Sequence, residues 1–175
     1  MPFEKLRGGC RQEIGRARPH QFTTTMIDLY ALRDFPGQEE RQGESPRDRA
    51  CRIEAGMAAQ LPSSQFIPYI QVHEFEALLY VDLDELRPSF PGKDLTDALR
   101  RLRDDTAGLA PEDIDDGHNT APSKRLIRHI PAYEYVKAIA GPQTAARIGL
   151  ARMRDRCLHF GVWLGRLEGL AAAKT

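Results

Sequence analysis

Two runs rich in strand-forming residues, separated by a helical stretch, constrain the fold of this chain most strongly. Residues 22–29 read FTTTMIDL and residues 66–72 read FIPYIQV, and both are rich in β-branched and aromatic side chains. Between them, Ser45 suits a helix N-cap and Pro46 suits the first helical position. The order strand, helix, strand predicts an α/β fold built on a βαβ unit with parallel strands.

Details within the two runs add to this prediction. Alternation places Phe22, Thr24, Met26 and Asp28 on one face of the first strand and the intervening residues on the other. Pro68 cannot donate to a ladder, so the second strand lies at an edge or is bulged there. An apolar stripe is expected on the intervening helix at Cys51, Ile53, Met57, Ala58 and Leu61.

The rest of the chain is predicted to be mainly helical. We expect a single domain over 1–175, with 1–21 weakly structured as a helix near 3–17, a βαβ core over 22–72 and a helical part over 73–175. Residues 109–119, which contain Pro111 and Gly117, are predicted to form a loop. Helices are expected near 73–80, 94–105, 121–130, 132–140, 143–157 and 158–169.

Charge and composition limit how this chain could bind nucleic acid or a membrane and indicate its redox compartment. The 175 residues carry 25 basic and 25 acidic side chains, so nucleic acid would have to bind through a local patch. The three cysteines are far apart and lack metal-ligand spacing, which is typical of a reducing compartment. No stretch approaches the ~20 apolar residues of a membrane span, and we therefore expect a cytoplasmic protein without membrane contact.

Acidic residues follow both predicted strands. Asp28 ends the first strand, and His73 and Glu74 follow the second, at the edge where parallel sheets bind ligands. On an ideal helix, His73 and Glu76 share one flank, whereas Glu74 lies on the opposite flank unless the helix begins after it. We predict that Asp28, with Glu76 or Glu74, holds Mg²⁺ or Mn²⁺. The alternative is that the acids stabilise a helix start and that His73 serves as a hydrogen-bonding or capping residue.

A second candidate site lies at residues 120–126, TAPSKRL. Thr120 can cap a helix and Pro122 fits its first turn, so a helix is predicted to begin here. Lys124 and Arg125 then lie beside free N–H groups, where they would contact a phosphate or another anion. The alternative is a solvated basic turn close to the acids of the preceding loop, which are Glu112, Asp113, Asp115 and Asp116.

Four stretches resemble the bacterial domain-of-unknown-function family 4276. They are TTTMIDLYALRDFPG (23–37), FIPYIQVHEFEALLYVD (66–82), TAPSKRLIRHIPAYEYVKA (120–138) and IGLARMRDRCLHFGVWLGRLE (148–168). That family is similar to Toprim-like domains, whose fold is a small parallel Rossmann-type sheet with flanking helices. Those domains bind Mg²⁺ through a glutamate on an opening strand and acids at the end of a later strand. The resemblance implies phosphodiester cleavage or transfer, and a link to ATPases of phage-defence or repair systems.

The chain departs from that pattern in two places. Nothing matches the Glu-Gly-x-Thr/Ser-Glu run that ends the family's opening strand, so we expect this sequence to lack its N-terminal strand. The paired acids of the later strand are represented only by Asp28-Leu29-Tyr30.

Three hypotheses follow. The first is a Mg²⁺-dependent nuclease-type domain, with Asp28, Glu74 and Glu76 binding metal and Lys124 and Arg125 binding phosphate. The second is a non-catalytic partner subunit of an ATPase encoded nearby, in which the acids are structural and the helical half docks. The third is a regulator that binds a nucleotide or phosphate at the 120–125 helix start alone.

Overall fold

The computed structural model describes residues 2–39, 41–114, 117 and 119–172. The chain divides into two compact units, Met1–Val72 and His73–Thr175. The first unit contains two short pairs of parallel strands together with helices, and the second unit is helical in its described residues. The predicted α/β class with a small parallel sheet is therefore confirmed.

The strands of the first unit form an interrupted parallel ladder. Strand β1 (Thr23–Thr24) pairs with β3 (Phe66–Ile67), and β2 (Ile27–Asp28) pairs with β4 (Ile70–Gln71). Both pairs keep the same register, with Thr23 opposite Phe66 and Asp28 opposite Gln71. The two runs recognised in the sequence therefore pair in parallel, as the strand, helix, strand order predicts.

The interruption falls at Pro68, where the sequence predicts an edge or a bulge. Pro68 has no N–H, and the hydroxyl of Thr25 takes over part of the pairing. Thr25 Oγ1 donates to the carbonyl of Tyr69 at 3.0 Å and accepts from the N–H of Tyr69 at 2.9 Å. One buried side chain thus satisfies both backbone groups of Tyr69 in the gap.

Burial along the first strand alternates as predicted. Thr25 and Leu29 are buried, whereas Phe22, Thr24 and Met26 are exposed. Asp28 is half-buried and shares the outward face. The predicted division into two faces is therefore confirmed, and the structure shows that the face with Ile27 and Leu29 packs on the core.

Helices α1 (Phe3–Arg16) and α2 (Pro46–Gln60) complete the first unit. The predicted N-cap is confirmed, because Ser45 Oγ accepts from the N–H of Asp48 at 3.1 Å. The predicted stripe on α2 is wrong at Cys51 and Ala58, which are exposed because the inward face instead carries Ala50, Ile53 and Met57. The core of this unit consists of Phe3, Cys10, Leu29, Leu32, Phe35, Ala50, Ile53, Met57, Leu61, Phe66, Ile70 and Val72.

The second unit begins with two 3-10 helices, Phe75–Val81 and Leu83–Ser89, and has a short one at Pro111–Asp113. Its α-helices are α3 (Thr96–Asp105), α4 (Pro122–His129), α5 (Tyr133–Ile148), α6 (Leu150–Arg156) and α7 (Leu158–Ala172). In the predicted loop over 109–119, Asp115 and Asp116 lie outside the described residues.

Two predicted boundaries in this unit are wrong. The expected break between 140 and 143 does not occur, because α5 continues through Pro142, which is exposed on its surface. The break falls instead at Gly149, whose φ of 81° is accessible mainly to glycine. The α-helix expected over 73–80 is a 3-10 helix that starts at Phe75.

Candidate functional site: buried acids and helix starts

Asp28 lies at the carboxyl end of β2 in the first unit. Its register partner is Gln71, which is fully buried and accepts a hydrogen bond from the Tyr69 hydroxyl at 2.7 Å. Immediately after Asp28 the chain turns into a short 3-10 helix, Leu29–Ala31. The half-buried carboxylate therefore lies where a parallel strand pair ends, as the sequence predicts.

The segment His73-Glu74 opens the second unit in an unusual backbone conformation. His73 is buried and has a φ of 60°, a left-handed conformation that non-glycine residues rarely adopt. Glu74 is extended, with φ −140° and ψ 159°, and the 3-10 helix begins only after it. Because Glu74 precedes the helix, its side chain direction does not follow from the ideal helix used to place it.

Glu74 caps a helix that is distant in the sequence. Its carboxylate is buried, and Oε2 accepts a hydrogen bond of 2.9 Å from the N–H of Ser123, in the first turn of α4. The N-cap residue of α4 is Ala121, which has no side-chain acceptor, so the prediction of Thr120 as the cap is wrong. The anion expected at this helix start is thus supplied within the chain by Glu74.

Two buried tyrosines surround the same segment. The Tyr80 hydroxyl donates to the carbonyl of Pro122 at 2.9 Å, and the Tyr133 hydroxyl donates to Glu76 Oε1 at 3.4 Å. Burial raises the pKa of both phenols well above the ordinary value, and the negative charges of Glu76 and Glu74 raise it further. Both hydroxyls therefore stay protonated and act as donors near these acids.

The two predicted phosphate contacts differ in their surroundings. Lys124 is exposed in the first turn of α4. Arg125 is half-buried, with Nε donating to the carbonyl of Thr120 at 2.6 Å and Nη1 donating to the carbonyl of Asp105 at 3.3 Å. Asp105 is the last residue of α3, so Arg125 places a cation at the negative end of that helix.

A histidine–aspartate pair lies beside Arg125. His129 Nε2 and Asp105 Oδ2 are 2.6 Å apart, and this hydrogen bond lowers the pKa of Asp105 below its usual range. Arg125 and Arg128 lower the same pKa further through their charges. The pair links the end of α3 to the end of α4.

A second buried glutamate caps α7, and the sequence prediction missed this role. Glu112 Oε2 accepts from the N–H of His159 at 2.8 Å, and Oε1 accepts from the N–H of Phe160 at 3.0 Å. The signal was the residue before α7, Cys157, which is not a good N-cap type. A helix start without a local cap requires an acceptor from elsewhere in the chain.

The five predicted site residues are therefore divided between the two units. Asp28 belongs to the first unit, whereas Glu74, Glu76, Lys124 and Arg125 belong to the second. Within the second unit, the structure brings Glu74 to the start of α4, the helix that carries Lys124 and Arg125. Glu74 and Arg125 both bond to backbone groups there.

Comparison with known proteins identifies the family. A family model described as "Domain of unknown function (DUF4276)" matches residues 1–168, and the chain belongs to this family. No curated protein and no solved structure gives a significant match. Across the described residues, no helix is both long enough and apolar enough to cross a membrane.

Proposed function

We propose that this chain is a Toprim-like, Mg²⁺-dependent nuclease-type domain in which Asp28 is a metal-binding carboxylate. The observation that carries the proposal is the position of Asp28 at the carboxyl end of a parallel strand pair, in register with Gln71. Ligands of parallel α/β sheets bind beyond this end of the strands.

The available donors suit a hard cation by type. Mg²⁺ binds carboxylate oxygens and retains several waters, so few protein ligands are required. In the second unit, considered by itself, Glu74 and Glu76 are separate candidate carboxylate ligands, and ligating carboxylates are commonly oriented by hydrogen bonds such as the one from Ser123 to Glu74. A bound metal ion would stabilise the charge that develops during phosphodiester cleavage. Lys124 is exposed and would contact a phosphate of the substrate.

Titration calorimetry with Mn²⁺ tests the metal-binding role of Asp28. We expect the wild-type chain to bind Mn²⁺ and Asp28→Asn to lose that binding, because an amide carries no charge to balance the ion. Asp34→Asn is a matched control, because Asp34 is exposed and its φ of 58° is also compatible with asparagine. A wild-type chain that gives no binding heat would refute the proposal.

Glu76→Gln tests the candidate metal ligand of the second unit by itself. If Glu76 is a ligand, the variant weakens Mn²⁺ binding while its thermal unfolding remains close to wild type. The Tyr133 hydroxyl can still donate to the amide oxygen of glutamine, so the fold keeps this contact. Unchanged affinity in Glu76→Gln would remove Glu76 from the proposed metal ligands.

A second candidate function is a non-catalytic partner subunit of an ATPase encoded nearby. It is favoured by the structural use of Glu74 and Arg125, whose polar atoms bond to helix ends. It is also favoured by an exposed apolar stripe on α5, where Tyr135 is 86% exposed and Ile139 is 64% exposed. Pro142 and Ala146 continue this stripe at the i+7 and i+11 positions and are exposed as well.

Co-purification with the neighbouring ATPase tests this second candidate. We expect Tyr135→Glu to abolish capture of the ATPase, whereas Lys137→Glu, at an exposed position outside the stripe, should retain it. A docking subunit should also show no cleavage of DNA or RNA on its own. Metal-dependent cleavage by the isolated chain that disappears in Asp28→Asn would favour the nuclease proposal instead.

A further inference from the structure

Tyr133, the first residue of α5, has a fully buried side chain with a polar end. Burial of a hydroxyl without a hydrogen bond costs free energy, so a buried phenol requires an acceptor. Oε1 of Glu76, in the 3-10 helix Phe75–Val81, lies 3.4 Å from the Tyr133 hydroxyl oxygen. Burial and the negative charge of Glu76 raise the pKa of the phenol, so the hydroxyl stays protonated and donates to the carboxylate.

The packing of α5 leaves space for this hydroxyl. A Cβ added to Gly141 would lie 3.2 Å from the Tyr133 hydroxyl oxygen and 3.3 Å from the Phe75 ring. Glycine in a helix interior costs stability relative to alanine, and here the missing side chain makes room for the phenol. The contact of 3.4 Å with Glu76 is longer than the usual O–H···O hydrogen bond, so it depends on this placement.

Glu76 lies at the boundary between the interior of the second unit and the solvent. It is half-buried, whereas the next residues of its helix, Ala77 and Leu78, are buried. A carboxylate can accept at both of its oxygens, so a hydrogen bond at Oε1 orients the group and leaves capacity for a hard cation. Removal of a hydrogen bond that orients a metal ligand commonly lowers metal affinity about 10- to 100-fold.

We propose that Tyr133 is a positioning residue, which orients Glu76 for binding of a divalent metal ion. The inference rests on the proposed function, because it requires that Glu76 is a ligand of Mg²⁺ or Mn²⁺. The phenol acts through the carboxylate and not on the ion itself. Glu74 is oriented by a backbone donor, the N–H of Ser123, whereas Glu76 is oriented by a side chain that a substitution can remove.

Titration calorimetry of the full chain with Mn²⁺ tests the positioning role. We expect Tyr133→Phe to bind Mn²⁺ about 10- to 100-fold more weakly than the wild type. Tyr80→Phe is the matched control, because it also removes a buried hydroxyl, but one that donates to the backbone carbonyl of Pro122. Both variants should lose some thermal stability, and only Tyr133→Phe should lose Mn²⁺ affinity. Equal weakening of Mn²⁺ binding in the two variants would overturn the proposal.

A double-mutant cycle shows whether Tyr133 acts through Glu76. If it does, Tyr133→Phe weakens Mn²⁺ binding in the wild-type background and causes little further loss in the Glu76→Gln background. A residue that only maintains the fold would lower the affinity by the same factor in both backgrounds. Equal losses in the two backgrounds would therefore assign the effect of the hydroxyl to another contact and overturn the inference.

The same titrations separate failure of this inference from failure of the proposed function. A wild-type chain that gives no binding heat refutes the metal-binding function, and the positioning role with it. Mn²⁺ binding that Glu76→Gln weakens and Tyr133→Phe leaves unchanged overturns the positioning role alone. Mn²⁺ binding that Asp28→Asn abolishes and Glu76→Gln leaves unchanged also overturns the positioning role, and it retains the metal-binding role of Asp28.

Discussion

Helix α2 of the first unit and helices α4 and α7 of the second satisfy their free N–H groups in different ways. At α2 the acceptor is Ser45, the residue immediately before the helix. At α4 and α7 the acceptors are the buried glutamates Glu74 and Glu112, which precede the donor residues Ser123 and His159 by 49 and 47 residues. In the first kind of cap, a residue next to the helix supplies the acceptor, so the cap can be predicted from the local sequence. The second kind exists only when the tertiary fold brings a distant acceptor to the helix.

This difference predicts a different dependence of stability on each cap. When an exposed local cap is removed, water can accept from the same N–H groups, so the free energy of unfolding falls only slightly. Removal of a buried glutamate leaves N–H donors that water cannot reach. The free energy of unfolding then falls by the full desolvation cost of those donors. The second unit should therefore be more sensitive to single acidic substitutions than the first.

Removal of the α7 cap should have the largest effect. We expect Glu112→Ala to lower the free energy of unfolding by about 2–4 kcal/mol, because two buried N–H groups lose their acceptor. Denaturant unfolding followed by circular dichroism measures this change. Glu134→Ala, at an exposed position in the first turn of α5, is the control and should change stability little. Equal effects for both variants would show that Glu112 is not a structural cap.

Removal of the α4 cap should have the next largest effect. Glu74→Ala leaves the N–H of Ser123 without its acceptor, and we expect a loss of about 1–3 kcal/mol. Glu74→Gln keeps an oxygen that can accept, so its loss should be smaller in the same unfolding experiment. If both variants unfold like the wild type, the acid is free for another role, and the comparison of the two kinds of cap fails at α4.

Removal of the local cap should have a smaller effect. We expect Ser45→Ala to lower stability by about 1 kcal/mol, and Ser45→Thr to lose less, because threonine keeps a hydroxyl that accepts from the N–H of Asp48 and donates to the Asp48 carboxylate. Thermal unfolding of the three proteins measures the difference. A loss for Ser45→Ala that exceeds the loss for Glu112→Ala would reverse the proposed order of local and distant caps.

The smallest expected effect concerns the His129–Asp105 pair. The pKa of Asp105 is lowered from its ordinary value of 3.8 in the folded state, so its stabilisation is present above about pH 4 and disappears as pH falls through the folded pKa. The pair is partly exposed, and we expect it to contribute about 0–1 kcal/mol. The melting temperatures of wild type and Asp105→Asn should therefore converge between pH 5 and pH 2 (roughly). A difference that persists at the acidic end would assign the effect to another contact.

The parts of the fold that the sequence predicts correctly depend on nearby residues. The threonine-rich strand, the division of its residues between two faces and the Ser45 cap follow from residue type, alternation and capping preference. The interruption of the ladder follows from the missing N–H of Pro68. Each of these features involves groups close in the chain, or a strand pairing that the order of the elements already implies.

The parts that the sequence does not predict depend on contacts between distant residues. The position of Glu74 depends on the left-handed backbone of His73 and on the N–H of Ser123, and neither is visible in a periodic pattern. The passage of α5 through Pro142 also depends on distant residues, because a Cβ added to the adjacent Gly141 would lie 3.2 Å from the Tyr133 hydroxyl oxygen and 3.3 Å from the Phe75 ring. Packing of this kind overrides the local tendency of Gly-Pro to end a helix.

The interrupted strand pair also has a consequence for the folding rate of the first unit. Its bonds join positions that are 43 residues apart, as between Thr24 and Ile67, so the intervening chain must close a loop before any of them forms. The ladder has only four paired positions, so the stabilisation that its hydrogen bonds provide is small compared with the entropic cost of closing the loop. The strands are therefore expected to pair late in folding, after formation of α2 has brought the two strand segments closer together.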